Sequence, residues 1–69
     1  METSIIKVEG MSCEHCVKAV TNALNALDGV ESVSVDLTAG TATVVYNPDK
    51  SPLGKIKAEI EDQGYDVVD

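Results

Sequence analysis

Four short stretches of the chain alternate apolar and polar residues, which is the pattern of strands that bury one face. They cover residues 4–9, 30–37, 41–46 and 65–68. In the first stretch Ile6 and Val8 occupy the buried positions. A turn at residues 38–40 separates the second stretch from the third, so we expect these two strands to pair as a hairpin.

Two other stretches repeat apolar residues every three or four positions, the spacing of an amphipathic helix. The apolar positions are Val17, Val20, Leu24 and Leu27 in one stretch, and Leu53, Ile56 and Ile60 in the other. A loop over residues 11–16 leads into the first helix, and Gly29 is expected to end it in the left-handed conformation. Ser51 followed by Pro52 predicts the second helix start, with Ser51 as the N-cap. Gly64 is expected to end that helix.

The elements therefore follow the order strand, helix, strand, strand, helix, strand. Two strand–helix–strand halves of this size predict an α+β, ferredoxin-like βαββαβ fold, in which a four-stranded antiparallel sheet carries both helices on one face. A chain of 69 residues has room for one small core, so we assign residues 1–69 to a single domain.

The charge of the chain narrows the classes of function. Five lysines against twelve carboxylates give a net charge of −7, which argues against nucleic acid and anionic membranes as partners. No apolar run is long enough for membrane insertion, and no basic, apolar leader precedes the domain, so we expect a cytoplasmic protein. The acidity is consistent both with simple solubility and with docking on a basic partner.

The candidate chemistry lies at two cysteines, Cys13 at the end of the loop and Cys16 in the first helical turn. Their spacing brings both sulfurs to one side of the turn, where the helix dipole favours thiolate. A closed zinc site needs four ligands, and the chain has only these cysteines and one histidine. Two thiolates suit a soft monovalent ion, above all Cu(I). Ser12 is a candidate helix cap, and Gly10 allows the chain to reverse.

The segment Gly-Met-Ser-Cys-Glu-His-Cys at residues 10–16 resembles the Met-x-Cys-x-x-Cys motif of the heavy-metal-associated domain family. The order of elements, the length and the Gly-Tyr pair before the last strand extend the resemblance over the whole chain. It implies a cytosolic Cu(I) chaperone that passes copper by thiolate exchange to a copper-transporting P-type ATPase or to a copper-sensing repressor. A monomer and a copper-bridged homodimer both stay open, and the same thiolates can bind Zn(II) in vitro.

The resemblance assigns a role to individual positions. Cys13 and Cys16 match the two copper ligands of the family. Met11 matches a methionine that packs into the core and shapes the loop, with a ligand role as the alternative. Tyr65 matches a tyrosine that bacterial copper chaperones place near the metal loop, and simple packing is its alternative.

Two further residues of the motif carry open alternatives. Ser12 stands where zinc-exporting relatives often have an aspartate, which favours monovalent copper. His15 lies between the cysteines in sequence but is turned away from both on a helix, so we expect it to be solvated. An auxiliary ligand or a proton-linked modulator is the alternative for His15.

Other functions remain as alternatives. A thiol–disulfide oxidoreductase also places a Cys-x-x-Cys pair at a helix start, but its motif usually carries other intervening residues and a preceding tryptophan. Within the same fold, the alternatives are an isolated N-terminal metal-binding domain of a copper ATPase, a zinc carrier, and a periplasmic mercury-binding protein. The sequence contains no catalytic triad, evident carboxylate pair or phosphate loop, so we expect a protein that is not an enzyme.

Overall fold

The computed structural model describes residues 1–68. The elements are β1 (Glu2–Glu9), α1 (Glu14–Asn25), β2 (Val30–Asp36), β3 (Thr41–Tyr46), α2 (Leu53–Asp62) and β4 (Asp66–Val67). The strands form one sheet in the order β2-β3-β1-β4, and every neighbouring pair is antiparallel. The predicted ferredoxin-like α+β fold is confirmed. Over the described residues, neither helix is long and apolar enough to cross a membrane.

The core lies between one face of the sheet and the two helices. Its buried members form a single cluster, made of Ile6, Val8, Val20, Leu24, Ala42, Val44, Tyr46, Ile56 and Ile60. The strand members occupy alternate positions, and the helix members follow three- and four-residue spacing, as each periodicity requires. Because α1 and α2 both contribute to this one cluster, both helices cover the same face of the sheet.

Helix α1 begins three residues earlier and ends earlier than the apolar stripe predicts. The amides of Cys16 and Val17 both donate to the Cys13 carbonyl, which starts the helix at Glu14. The helix ends at Asn25, so the prediction that Gly29 caps it was wrong. Gly29 does have a positive φ of 98°, but it lies where the turn after α1 closely approaches the connection between β3 and α2. A Cβ at this position would lie 2.6 Å from the Cβ of Lys50.

Ser51 is not the N-cap of α2, and that prediction was also wrong. The N-cap is Pro52, which makes no side-chain capping bond, and the helix begins at Leu53. The Ser51 side chain is fully buried, and its hydroxyl donates a short hydrogen bond to the carbonyl of Asp28. It therefore joins the turn after α1 to the connection between β3 and α2, rather than capping its own helix.

The strand ends also differ from the alternation pattern. β1 extends back to Glu2, which lies opposite Tyr46, although the first residues of the chain show no alternation. β2 ends at Asp36, whose carbonyl accepts a bond from the Gly40 amide and closes the hairpin turn. β4 contains only Asp66 and Val67. Each strand ends where its pairing with a neighbouring strand ends. This pairing depends on the tertiary structure, so the local pattern of residues does not predict it.

Replacing Ser51 with alanine should lower the free energy of unfolding by about 1–2 kcal/mol, because the buried Ser51 hydroxyl and its hydrogen bond to the Asp28 carbonyl are lost. The matched control is Ser34→Ala on the exposed side of β2, which should change stability by less than about 0.5 kcal/mol. Urea denaturation of both variants measures the difference. Equal effects of the two substitutions would show that the hydrogen bond between Ser51 and Asp28 adds nothing to the free energy of unfolding.

Candidate metal centre

The loop that carries the cysteines leaves β1 through Gly10. This residue has a φ of 96°, a conformation that other residues adopt only with strain. It also lies against Tyr65, since a Cβ built on Gly10 would be 3.5 Å from the Tyr65 Cδ1 atom. The glycine therefore lets the chain turn towards α1 while Tyr65 packs beside it.

The two cysteines lie at the start of α1, with their sulfurs close together. Cys13 is the N-cap residue in an extended conformation, and its side chain is exposed. Cys16 lies in the first turn of the helix and is half-buried. Their Sγ atoms are 3.6 Å apart. Ser12, the cap expected from the sequence, does not cap the helix, because Cys13 holds the N-cap position and no side-chain capping bond is made.

The environment of Cys16 favours its thiolate form. The pKa of the Cys16 thiol is lowered from 9.0 to about 7, and the largest cause is the nearby hydroxyl of Tyr65, which favours the thiolate. Backbone groups at Ser12 and Cys13 and the Cys13 thiol lower it further, against a smaller desolvation effect that raises it. The same interaction raises the pKa of Tyr65. An open site therefore supplies a thiolate near neutral pH.

The other residues of the motif lie around this pair in different ways. Met11 is half-buried and packs against the hydrophobic core. Glu14 and His15 are exposed at the start of α1. Among residues 1–68, no three or more His, Cys, Asp or Glu side chains are grouped so that they can hold a metal ion. The structure therefore does not bring His15 into a common site with the two cysteines.

Tyr65 reaches the site through the topology of the sheet. β4 pairs with the end of β1, with Asp66 opposite Glu9, and this places Tyr65 beside the loop that follows β1. The sequence resemblance indicated this proximity. The resemblance did not predict that the Tyr65 hydroxyl lowers the pKa of Cys16 in particular. That effect depends on the side-chain geometry of residues far apart in the chain.

A family model described as the heavy-metal-associated domain matches residues 5–66. The chain is a member of the heavy-metal-associated domain family. This family assignment agrees with the fold and with the paired cysteines at the start of α1.

Individual relatives resemble the chain over nearly its full length. The copper chaperone CopZ of Bacillus subtilis is 52% identical over 67 residues, which are 97% of each chain. A solved structure of a CopZ metallochaperone superposes with a TM-score of 0.94 at 51% identity and covers 97% of this chain and 100% of its own. The N-terminal domain of a potential copper-translocating P-type ATPase from Bacillus subtilis, solved in the Cu(I)-loaded state, has a TM-score of 0.92 at 30% identity, covering 96% of this chain and 82% of its own.

Replacing Tyr65 with phenylalanine should raise the pKa of Cys16, because the Tyr65 hydroxyl lowers this pKa more than any other group does. At pH 7 a rise of one unit above a pKa near 7 reduces the thiolate fraction about fivefold. Titration of the ¹³Cβ chemical shift of Cys16 measures this midpoint directly. Tyr46→Phe is the control, since the hydroxyl of Tyr46 bonds to Ser4 instead, and an unchanged Cys16 midpoint in Tyr65→Phe would contradict the assignment.

Proposed function

We propose that this protein is a cytoplasmic Cu(I) chaperone that binds one copper ion between Cys13 and Cys16. The observation that carries the proposal is the pair of neighbouring, accessible sulfurs in a chain of the heavy-metal-associated family. Two of the relatives described above are named as copper chaperones, and they resemble this chain over nearly its full length.

The distance between the sulfurs suits a shared metal ion. Metal–thiolate bonds are about 2.3 Å long, so two sulfurs on one ion lie up to about 4.6 Å apart. The observed 3.6 Å requires only a modest opening of two side chains, one of them fully exposed and the other half-buried. The lowered pKa of Cys16 reduces the competition from protons, because a thiol must lose its proton before it binds metal.

The number of donors favours Cu(I) over Zn(II). A soft monovalent ion is satisfied by two thiolates, whereas a structural zinc ion requires four ligands. The described residues supply no third His, Cys, Asp or Glu donor beside the cysteines. Zn(II) bound in vitro would have to take its remaining ligands from solvent or from a second molecule.

Low coordination also explains how copper is handed on. A thiolate of the receiving protein adds to the exposed ion before one of the two chaperone thiolates leaves, so no free ion is released. The preferred receiver is the metal-binding domain of a copper-transporting P-type ATPase. Its support is that one ATPase domain solved with Cu(I) has the same fold as this chain. A copper-sensing repressor is a second candidate receiver, and a copper-bridged homodimer would use the same open coordination.

Four exposed carboxylates on elements that meet near residues 10–16 are the proposed docking surface, which we call the acidic rim. We define the rim as Glu14, Glu61, Asp62 and Asp66, all of which are exposed. Glu14 begins α1, while the other three lie where α2 ends and β4 begins, beside the end of β1. The topology therefore gathers carboxylates that are far apart in sequence at one end of the molecule, where they suit a partner with lysine or arginine side chains.

Replacing either Cys13 or Cys16 with serine should weaken Cu(I) binding by at least about a hundredfold, which exceeds the usual effect of losing a group that only supports a ligand. The fold should persist, because neither side chain belongs to the hydrophobic core. Competition with a Cu(I)-selective chelator measures the affinity, and circular dichroism checks the fold.

His15→Ala is the matched control for the cysteine variants, since it alters the residue between them. We expect it to bind Cu(I) as the unaltered protein does. Near-native affinity in either cysteine variant would refute the two-thiolate site, and a large loss in His15→Ala would make His15 an auxiliary ligand.

Copper transfer to an ATPase metal-binding domain should slow as salt is added, because exposed charges are screened within ~8 Å at 0.15 M ionic strength. Replacing the four rim carboxylates with their amides should slow transfer at low salt and remove most of the salt dependence. Stopped-flow kinetics from 0.05 to 0.5 M salt, chosen as roughly a threefold range of Debye length, gives both quantities.

The control removes charge at the opposite end of the molecule, with Asp28→Asn and Glu31→Gln. Both carboxylates are exposed and lie where α1 ends and β2 begins. We expect transfer to keep its rate and its salt dependence in this variant. If the two sets of substitutions behave alike, the rim has no docking role and the acidity serves solubility.

A further inference from the structure

One face of the sheet is left uncovered by the helices. The buried side chains of α1 and α2 all belong to the core cluster on the other face. Because strand side chains alternate between the two faces, the residues between the core positions of β1, β2 and β3 point away from the helices. We call this side the outer face of the sheet. Within residues 1–68, neither helix packs against it.

Strand pairing sorts the outer face into rows that cross three strands. The registers of β1 with β3 and of β3 with β2 align one residue of each strand in every row. The rows are Thr3, Val45 and Ser32, then Ile5, Thr43 and Ser34, and last Lys7, Thr41 and Asp36. We call these residues the outer patch. β3 runs through the middle of the patch, with β1 on one side and β2 on the other.

The outer patch is neutral although the chain is strongly acidic. Its charged members are Lys7 and Asp36, which lie in the same row but on opposite flanks of the patch. Their charges cancel, whereas the whole chain carries a net charge of −7. The excess negative charge therefore lies on other surfaces of the molecule.

The two uncharged rows form a flat and partly apolar surface. Ile5 is 66% exposed in the middle row, and Thr43 and Val45 lie half-buried beside it on β3. Val68 is 50% exposed and borders the patch, since extending the β1–β4 register places it opposite Lys7. β-branched side chains of this kind form the surfaces through which one sheet packs on another.

The outer patch is complementary to itself about a two-fold axis that runs along β3. A half-turn about this axis lays β1 of one copy over β2 of the other and keeps every row at its own height. Lys7 of each copy then faces Asp36 of the other copy. The two flanks therefore form two opposite-charge pairs, which is the reciprocal contact expected of a two-fold interface.

The uncharged positions also match under the same rotation. Val45 and Thr43 lie near the axis and face their own copies, while Ile5 faces Ser34. Glu9, the next outward residue of β1 beyond the patch, faces the 37–40 turn, which carries no charge. No like charges of the patch are brought together.

The charges on the helices stay far from the interface. Packed sheets lie ~10 Å apart, and a helix ~10 Å thick covers the far side of each sheet. The helix axes of the two copies are then separated by roughly 30 Å, whereas exposed charges are screened within ~8 Å at 0.15 M ionic strength. Repulsion between the helices of two acidic chains is therefore small.

We propose that the outer patch binds the outer patch of a second copy of this chain, with the two-fold axis along β3. A strand spacing of ~4.8 Å and a rise of ~3.4 Å per residue give the patch an area of roughly 300 Å² on each copy. Stable interfaces bury at least about 1,200 Å² in total, so the association is weak and reversible, with a Kd near ~1 mM. It leaves both pairs of cysteines accessible and does not depend on the proposed copper function.

The test uses the full ¹⁵N-labelled protein, kept reduced and free of metal so that copper cannot bridge two copies. Amide spectra and rotational diffusion are measured from roughly 0.05 to 3 mM protein, a range that spans the expected Kd. We expect the amides of Ile5, Thr43 and Val45 to shift progressively and the tumbling to slow. The signals of residues 10–16 should stay unchanged.

Charge reversals test the pairing of Lys7 with Asp36. Lys7→Glu places like charges in both pairs and should weaken the association at least about fivefold. Lys55→Glu is the matched control, because it changes the net charge equally but lies exposed on α2, on the other side of the sheet. Asp36→Lys should act as Lys7→Glu does. A mixture of these two variants restores both opposite-charge pairs, so it should associate although neither variant does so alone.

Each measurement has an outcome that would overturn the proposal. Tumbling that does not depend on concentration would show that the copies do not associate, and shifts confined to other residues would place the contact elsewhere. Equal weakening by Lys7→Glu and Lys55→Glu would assign the effect to net charge, and a mixture that does not associate would remove the pairing. Asp36 also accepts a hydrogen bond from the Ala39 amide, so Lys7→Glu keeps the test decisive if Asp36→Lys alters the turn.

Discussion

The burial of both helices on the same face of the sheet is the constraint on which the rest of the structure depends. Val20 and Leu24 of α1 and Ile56 and Ile60 of α2 enter one cluster with the inward side chains of β1 and β3. Because α1 follows β1 and α2 precedes β4, this packing brings the start of one helix and the end of the other to the same end of the sheet. The metal loop, Tyr65 and the acidic rim are neighbours for that reason.

At the candidate metal centre, an exposed and a half-buried cysteine follow a loop that is held by the core. Val8, which precedes Gly10, lies in the core, and Met11, which follows Gly10, packs against it. Cys13 remains exposed. The Tyr65 hydroxyl and the loop backbone lower the pKa of Cys16 and so favour its thiolate form, and burial opposes it. This arrangement gives a reactive thiolate without enclosing it, which suits an ion that must enter and leave through contact with another protein.

Two hydrogen bonds join neighbouring turns at the opposite end of the molecule. There the Ser51 hydroxyl bonds to the Asp28 carbonyl, and the Asn47 amide donates to the Gly29 carbonyl at 2.7 Å. These bonds tie together the two turns that follow α1 and β3. These two turns lie apart from the two cysteines, which are at the start of α1.

Local periodicity was sufficient to predict the order of the elements and the members of the core. The alternation at Ile6 and Val8 and the stripe through Val20 and Leu24 each reflect one buried face, so they can be read without knowing the neighbour. Element ends were harder to predict. Ser51 has the side chain of a helix cap, but its buried hydroxyl donates instead to the carbonyl of Asp28, which is distant in sequence.

The sequence by itself determined that two cysteines share the first turn of a helix, because a spacing of three positions sets their side-chain directions. It also determined the fold class, through two periodicities in a fixed order. Only the tertiary structure decided that the Tyr65 hydroxyl acts on Cys16 and that Lys7 and Asp36 lie in one row of the outer patch. Both depend on how strands distant in sequence pair, and strand pairing is set by the packing of the whole core.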